Sequence, residues 1–279
     1  MPVWLVLAAG VGLMVGSFLN VVIYRLPVML KKQWRRECRA FLALPEDSGD
    51  VAPFNLAWPA SHCPKCQAPV RPWQNIPLLS FILLKGRCHH CQAGIGLRYP
   101  LVEALTGLLS VAVVGYFGLT TAALAGLILT WGLVALSGID IDHQLLPDNL
   151  TLPLLWLGLL LNDFNVFTDL ESAVMGAMAG YLVLWSVYQL FKLLTGKEGM
   201  GYGDFKLLAV LGAWLGWQYL PMIILLSSLL GAVVGVTLIA LKRQDKSVPI
   251  PFGPYLAGAG WLAMIWGEDW NAAYLQLML

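Results

Sequence analysis

Long apolar stretches recur along this chain, and they leave it few folds. They run from Val3 to Ile23, Leu101 to Phe117, Thr121 to Ile139, Leu170 to Leu194, Met222 to Leu241 and Pro254 to Gly267, with shorter ones at Leu150 to Leu161 and Phe205 to Trp217. About 20 apolar residues in a helix span the hydrocarbon of a bilayer. Only 12% of the 279 residues are charged and 58% are hydrophobic, where a soluble domain carries roughly 25% charged residues. Such a chain cannot cover itself with polar surface. Hydrocarbon does not solvate free backbone groups, and the stretches lack the alternation of barrel strands. The expected fold is therefore all-α and polytopic, with about eight transmembrane helices.

Charge orients these helices. Met1 to Val22 contains no Lys or Arg, unlike a secretion signal, so the first stretch is read as a retained helix. Residues 25 to 98 hold 11 of the 17 basic residues, including Lys31, Lys32, Arg35, Arg36 and Arg39. The positive-inside rule places this segment in the cytoplasm, with the basic cluster against anionic lipid. Lys192, Lys197, Lys206, Lys242, Arg243 and Lys246 fall in or beside two later loops, 195 to 205 and 242 to 253, that the same threading makes cytoplasmic. Asp163, Asp169, Glu171, Glu268 and Asp269 fall on the opposite side. The organisation expected is a first membrane helix over 1–24, a cytoplasmic insertion over 25–99 and a membrane core of about seven helices over 100–279. Within the insertion, Val28 to Asp50 reads as amphipathic and partly helical, and Pro45 to Pro53 as a loop. The formal net charge of +1 points to no nucleic-acid partner, and the lipid bilayer is the expected surrounding.

The insertion carries Cys63-Pro64-Lys65-Cys66 and Cys88-His89-His90-Cys91, two C-x-x-C knuckles 21 residues apart. Four thiolates from two knuckles make the closed tetrahedral site of structural zinc. A reducing cytoplasm disfavours disulfides, and the segment has few large apolar residues, so a metal would supply folding free energy that its core does not. The alternative is four reduced, metal-free cysteines. His62, His89 and His90 are read as solvated neighbours, and Cys38 as a small buried or unreactive thiol.

Acids at membrane depth are costly and usually functional. Asp140, in Ser137-Gly138-Ile139-Asp140-Ile141-Asp142-His143, ends the third long stretch, and Asp204, in Gly199-Met200-Gly201-Tyr202-Gly203-Asp204, opens the sixth helix. The threading brings both to one face, although 64 residues separate them. Two carboxylates sharing a site do not both ionise readily, so one can take a proton from water while the other gives one to a scissile carbonyl. Spacing alone leaves a second reading open, in which each acid merely caps a helix end in the headgroup zone. The glycines have no preceding strand and no complete G-x-G-x-x-G, which excludes a dinucleotide fingerprint. Asp142, His143 and Asp148 read as residues of a wet loop, and Glu103 as an interfacial acid paired with a base such as Arg98.

The chain resembles the type IV prepilin peptidase family. The resemblance rests on Gly16-Ser17-Phe18-Leu19-Asn20 running into Arg25-Leu26-Pro27, the paired knuckles, and Arg98-Tyr99-Pro100. It continues through Ile139-Asp140 with Leu146-Pro147-Asp148, the glycine-rich Asp204 motif and Pro251-Phe252-Gly253-Pro254-Tyr255. It implies an inner-membrane aspartic endopeptidase whose catalytic pair is Asp140 and Asp204, active at the cytoplasmic face. It implies type IV prepilins and type II secretion pseudopilins as substrates, each with a short basic leader cut after a glycine. It further implies methylation of the new N-terminal residue with S-adenosylmethionine, for which no residue here marks the donor site. Two other classes fit a helix bundle with buried acids: an ion-coupled transporter, disfavoured because both acids lie near one face rather than the midplane, and a noncatalytic assembly scaffold, in which both acids would be replaceable.

Overall fold

A computed structural model describes residues 2–45, 53–241 and 250–278. Most of the loop expected at Pro45 to Pro53, and the basic residues Lys242, Arg243 and Lys246, lie outside the described residues. The helices are α1 (Val3–Phe41), α2 (Leu79–Leu83), α3 (Arg98–Phe117), α4 (Thr121–His143), α5 (Asp148–Asp163), α6 (Leu170–Thr195), α7 (Tyr202–Leu215), α8 (Leu220–Ala240) and α9 (Gly253–Met278). Among the described residues, strand pairing is limited to two isolated bridges. Every apolar stretch of the sequence lies on a helix, and the protein is an all-α, multi-pass membrane protein.

Among the described residues, five runs are long and apolar enough to cross a membrane: Val3–Phe41, Arg98–Phe117, Thr121–His143, Leu170–Thr195 and Trp217–Leu238. α7 differs in kind from these. Its 14 residues reach about 21 Å, short of the ~30 Å hydrocarbon layer. From Asp204 to Leu215 every residue but Lys206 is buried, because α5, α6 and α9 pack around it. The surroundings of α7 are protein, which explains why its apolar run has no single lipid face.

The chain forms two compact units, Met1–Gly115 and Tyr116–Leu279. In the first, α1 does not end near residue 24 but continues to Phe41. Pro27 removes one ladder hydrogen bond, yet Leu26, Pro27 and Leu30 are buried, so packing carries the helix through. α1 meets α3 across glycine: a Cβ on Gly16 would stand 2.8 Å from the Glu103 Cα, and one on Gly12 2.9 Å from the Gly107 Cα. Arg25, itself buried, turns its guanidinium onto the carbonyls of Asn55 (3.0 Å) and Pro59 (2.7 Å), tying α1 to the start of the cysteine-bearing segment.

In the second unit, Gly176 and Gly180 of α6 meet Leu208 and Gly212 of α7 backbone to backbone, and a Cβ on Gly180 would lie 2.6 Å from the Leu208 carbonyl oxygen. Each unit thus holds a glycine pair four residues apart at its tightest crossing, Gly12 with Gly16 and Gly176 with Gly180. Small residues suit that place because helices in lipid associate by close packing rather than by escape from water. The far end of α7 is closed by Asn162 of α5. Its amide donates to the carbonyls of Ala213 (2.8 Å) and Trp214 (2.9 Å), and its oxygen accepts from the N–H groups of Phe167 and Thr168.

Candidate active site and metal group

Asp140 occupies the last turn of α4, where Gln144 ends the helix in a left-handed conformation with φ of 50°. Asp204 lies in the first turn of α7, after Gly201. Both are buried, at 5% and 7% exposure, which sets them apart from ordinary capping acids at a wetted helix end. The two helix ends converge on one residue, Leu146, which lies against Gly203, the neighbour of Asp204, and against Gly253, the partner of Asp140. The N–H of Gly253, at the start of α9, donates to Asp140 Oδ2 at 2.9 Å.

Leu146 links the surroundings of the two acids. Buried in the loop between α4 and α5, it lies under both Gly203 and Gly253: a Cβ built on Gly203 would come within 2.8 Å of the Leu146 Cβ, and one on Gly253 within 3.2 Å of its Cδ2. A side chain at Gly203 would displace this leucine, and one at Gly253 would press on its end. The glycines therefore matter through close approach, and nothing in the spacing alone pairs either of them with Leu146. Asp148 is half-exposed, as expected of a wet loop, but it accepts an ion pair from Lys206 at 2.6 Å, joining the start of α5 to α7. Asp142 is exposed and His143 half-buried. In the first unit, Glu103 is buried and its Oε2 accepts the Leu78 N–H at 2.9 Å.

Around α7, Tyr181 and Tyr188 of α6 and Tyr202 stack edge-on or tilted against the fully buried Phe205, with ring centroids 5.4 to 5.9 Å away. This cluster holds the helix start that carries Asp204. Residues missing from the sequence reading of the site are Gly253, Leu146 and Lys206. Gly253 and Leu146 carried a signal, since they sit in the Pro251 to Tyr255 and Leu146 to Asp148 stretches that support the family resemblance; Lys206 carried none.

The four cysteines of the first unit converge. Their sulfur atoms all lie within 4.8 Å of one another, with Cys63 to Cys91 at 3.8 Å and Cys66 to Cys88 at 4.0 Å. The two knuckles are near copies. Cys63 N–H donates to Ala68 O as Cys88 N–H does to Ala93 O, and Gln67 N–H to Cys63 O as Gln92 N–H does to Cys88 O. Gln67 and Gln92 share a positive φ of 58° and 57°, and the bridges His62–Pro69 and Arg87–Gly94 close the two turns alike. Backbone N–H groups of Cys66 and Lys65 draw the Cys63 thiol down to about 6. At Cys66 the Ala68 N–H lowers the thiol, but desolvation and the neighbouring sulfurs outweigh it and lift it to about 11. Four thiols this close resist losing all their protons unless a cation lies among them, and the donor set fits one metal ion. His62, His89 and His90 stay outside the group. Cys38 is exposed on α1, so of the two expectations for it, buried or unreactive, the first is corrected.

Comparison with known proteins follows the same division. Residues 11–117 match the Bacterial Peptidase A24 N-terminal domain, and residues 127–236 match the Type IV leader peptidase family. Curated relatives named prepilin leader peptidase/N-methyltransferase include one from Aeromonas hydrophila, 61% identical over 96% of this chain and 92% of its own length. Another, from Stutzerimonas stutzeri, is 58% identical over 99% and 95%, and one from Legionella pneumophila is 46% identical over 98% and 96%. No solved structure matches. With both halves matched and relatives aligned along nearly its whole length, the chain belongs to the type IV leader peptidase family.

Proposed function

We propose that this protein is a membrane aspartic endopeptidase that removes the basic leader of type IV prepilins and type II secretion pseudopilins after a glycine, with Asp140 and Asp204 as its catalytic pair. The observation that carries the reading is the convergence on Leu146 of two helix ends far apart in sequence, the end of α4 and the start of α7, each bearing a buried carboxyl group. One carboxylate takes a proton from water as its oxygen attacks the scissile carbonyl. The other, protonated, donates to the carbonyl oxygen; the first then passes the proton taken from water to the departing amine nitrogen as the C–N bond breaks, and the second recovers its own as the carbonyl re-forms. Gly253 N–H, on Asp140 Oδ2, holds that carboxyl group in one orientation. No metal is needed for these steps.

The concentration of Lys and Arg in residues 25 to 98 supports a cytoplasmic insertion, an inner-membrane location and an active site at the cytoplasmic face. A pilin-like substrate, basic then apolar, would present its junction there, and glycine at that point weakens the helix so that the backbone can extend. The domain division is a membrane-crossing part of α1 to residue 24, the insertion over 25–99, which takes in the rest of α1, and the membrane core over 100–279. Zinc is the metal assigned to Cys63, Cys66, Cys88 and Cys91: a Zn–S bond of about 2.3 Å gives a tetrahedron with edges of about 3.8 Å, and two of the sulfur pairs stand at 3.8 and 4.0 Å. When bound it supplies a cross-link, not chemistry. Methyl transfer from S-adenosylmethionine to the new N-terminus is included because the relatives' names carry it.

Incubation of the purified protein in detergent with a prepilin, read by mass spectrometry, tests the reading. Loss of the leader at its terminal glycine is expected, and a methyl increment when S-adenosylmethionine is added. An intact prepilin beside a folded enzyme would refute the peptidase, and cleavage without methylation would refute only the second activity.

A further inference from the structure

One short helix of the first unit is turned inside out with respect to water. In α2, Leu79, Ile82 and Leu83 share a face and are 50%, 69% and 64% exposed, whereas Ser80 is buried. In water this arrangement exposes apolar area and hides a hydroxyl. Against lipid it is favourable, since acyl chains are as apolar as leucine.

The depth of α2 follows from what its start touches. The Leu78 N–H donates to Glu103 Oε2 at 2.9 Å. Glu103 lies five residues past Arg98, where α3 begins, about 7.5 Å along the axis. Facing Glu103 is Gly16 of α1, and one turn on, Asn20 Nδ2 donates to Tyr99 O at 3.1 Å. Gly16 and Asn20 both belong to the apolar stretch Val3 to Ile23. The start of α2 therefore stands beside the parts of α1 and α3 that enter the membrane-crossing runs. Exposed Trp73 precedes it and exposed Lys85 follows it, and such residues favour the headgroup layer.

We propose that α2 is an interfacial membrane anchor, with Leu79, Ile82 and Leu83 among the acyl chains and Lys85 at the lipid phosphates. Interfacial helices bury their apolar face about 5–10 Å into the headgroup and acyl boundary, which agrees with the level of Glu103. Because α2 lies between the knuckle of Cys66 and that of Cys88, the anchor ties the link between the two halves of the metal group to the bilayer. The insertion is then a membrane-tethered domain rather than a wholly aqueous one. This inference does not depend on the peptidase reading.

Photochemistry in lipid nanodiscs of phosphatidylcholine and phosphatidylglycerol tests it in the full-length protein. p-Benzoylphenylalanine placed at Ile82, or at Leu83 should the first variant fail to fold, is irradiated and its adducts are weighed. Leu108, 69% exposed on α3, serves as the lipid-facing standard, and Glu37, exposed on the α1 extension, as the aqueous one. The expected result is a lipid adduct at 82 within about threefold of that at 108 and about tenfold or more above that at 37, as an acyl-chain location requires. A yield at the level of Glu37 would overturn the proposal, and so would cross-linking to the protein's own chain in place of lipid.

Discussion

Gly253 and Asp140, 113 residues apart in sequence, are joined by a 2.9 Å hydrogen bond from backbone N–H to carboxylate oxygen. A Cβ on Gly253 would stand 2.7 Å from that same oxygen, closer than two such atoms approach. Gly253→Ala should therefore push the carboxyl group out of line while leaving α9 formed. A misplacement of about 1 Å costs on the order of 10²-fold in rate. Prepilin cleavage by a variant of normal expression and melting temperature measures this, and a rate near the parent's would remove Gly253 from the positioning of Asp140.

Asp140→Asn and Asp204→Asn should each lower leader cleavage by about 10³-fold or more, because an amide of nearly the same size neither takes a proton from water nor shares one. As the pair acts as a unit, the double variant should be scarcely worse than either single one. Single-turnover assays decide it. Retention of a rate within about tenfold of the parent by either variant would end the assignment, since removing a general acid or base costs at least ~10².

Asp148 and Lys206 predict a contrasting result. Their 2.6 Å ion pair is partly solvent-exposed, and such pairs contribute about 0 to 1 kcal/mol. Asp148→Asn and Lys206→Met should each reduce cleavage by less than about tenfold, with the parent's dependence on this pair fading as salt rises. Thermal melting and cleavage measured at low and high ionic strength check both halves. A loss as large as that of Asp204→Asn would place Lys206 or Asp148 in the chemistry itself.

Asn162→Leu should destabilise the second unit without touching the acids. The substitution strands two carbonyls at the end of α7 and two N–H groups of the following loop, and each unsatisfied buried group costs about 1–3 kcal/mol. Some of these groups will find water, so a net loss of about 3 kcal/mol is expected, read as a lower melting temperature in detergent. An unchanged melting temperature would mean that the loop rearranges to satisfy them.

One metal ion per chain, identified as zinc by elemental analysis, is expected in gently purified protein. Cys66→Ser or Cys88→Ser should abolish it and make residues 53–97 readily cut by protease, because closed thiolate sites contribute folding free energy directly. Full alkylation of all four thiols in metal-free yet protease-resistant protein would refute a structural metal.

The all-α membrane fold was legible in the sequence because hydrocarbon imposes one rule on every backbone group, and apolar length alone reports obedience to it. The knuckles were legible because C-x-x-C places both thiolates of a pair through local turns, seen here as two matching sets of backbone bonds. Asp140 and Asp204 stood out as acids at the ends of apolar runs. Their meeting, however, depends on packing between helices, and so do its supports: Leu146 beneath two glycines, Gly253 N–H on Asp140, and the glycine crossing of α6 with α7. The turn of α2 toward lipid was likewise invisible, since a five-residue helix has no periodicity to read and only the burial of Ser80 reveals which side faces out. Local patterns in a chain specify what each segment must become and which groups are costly to bury. Which of those groups meet is decided by long-range packing, where close contacts between distant residues leave no mark in the spacing of either one.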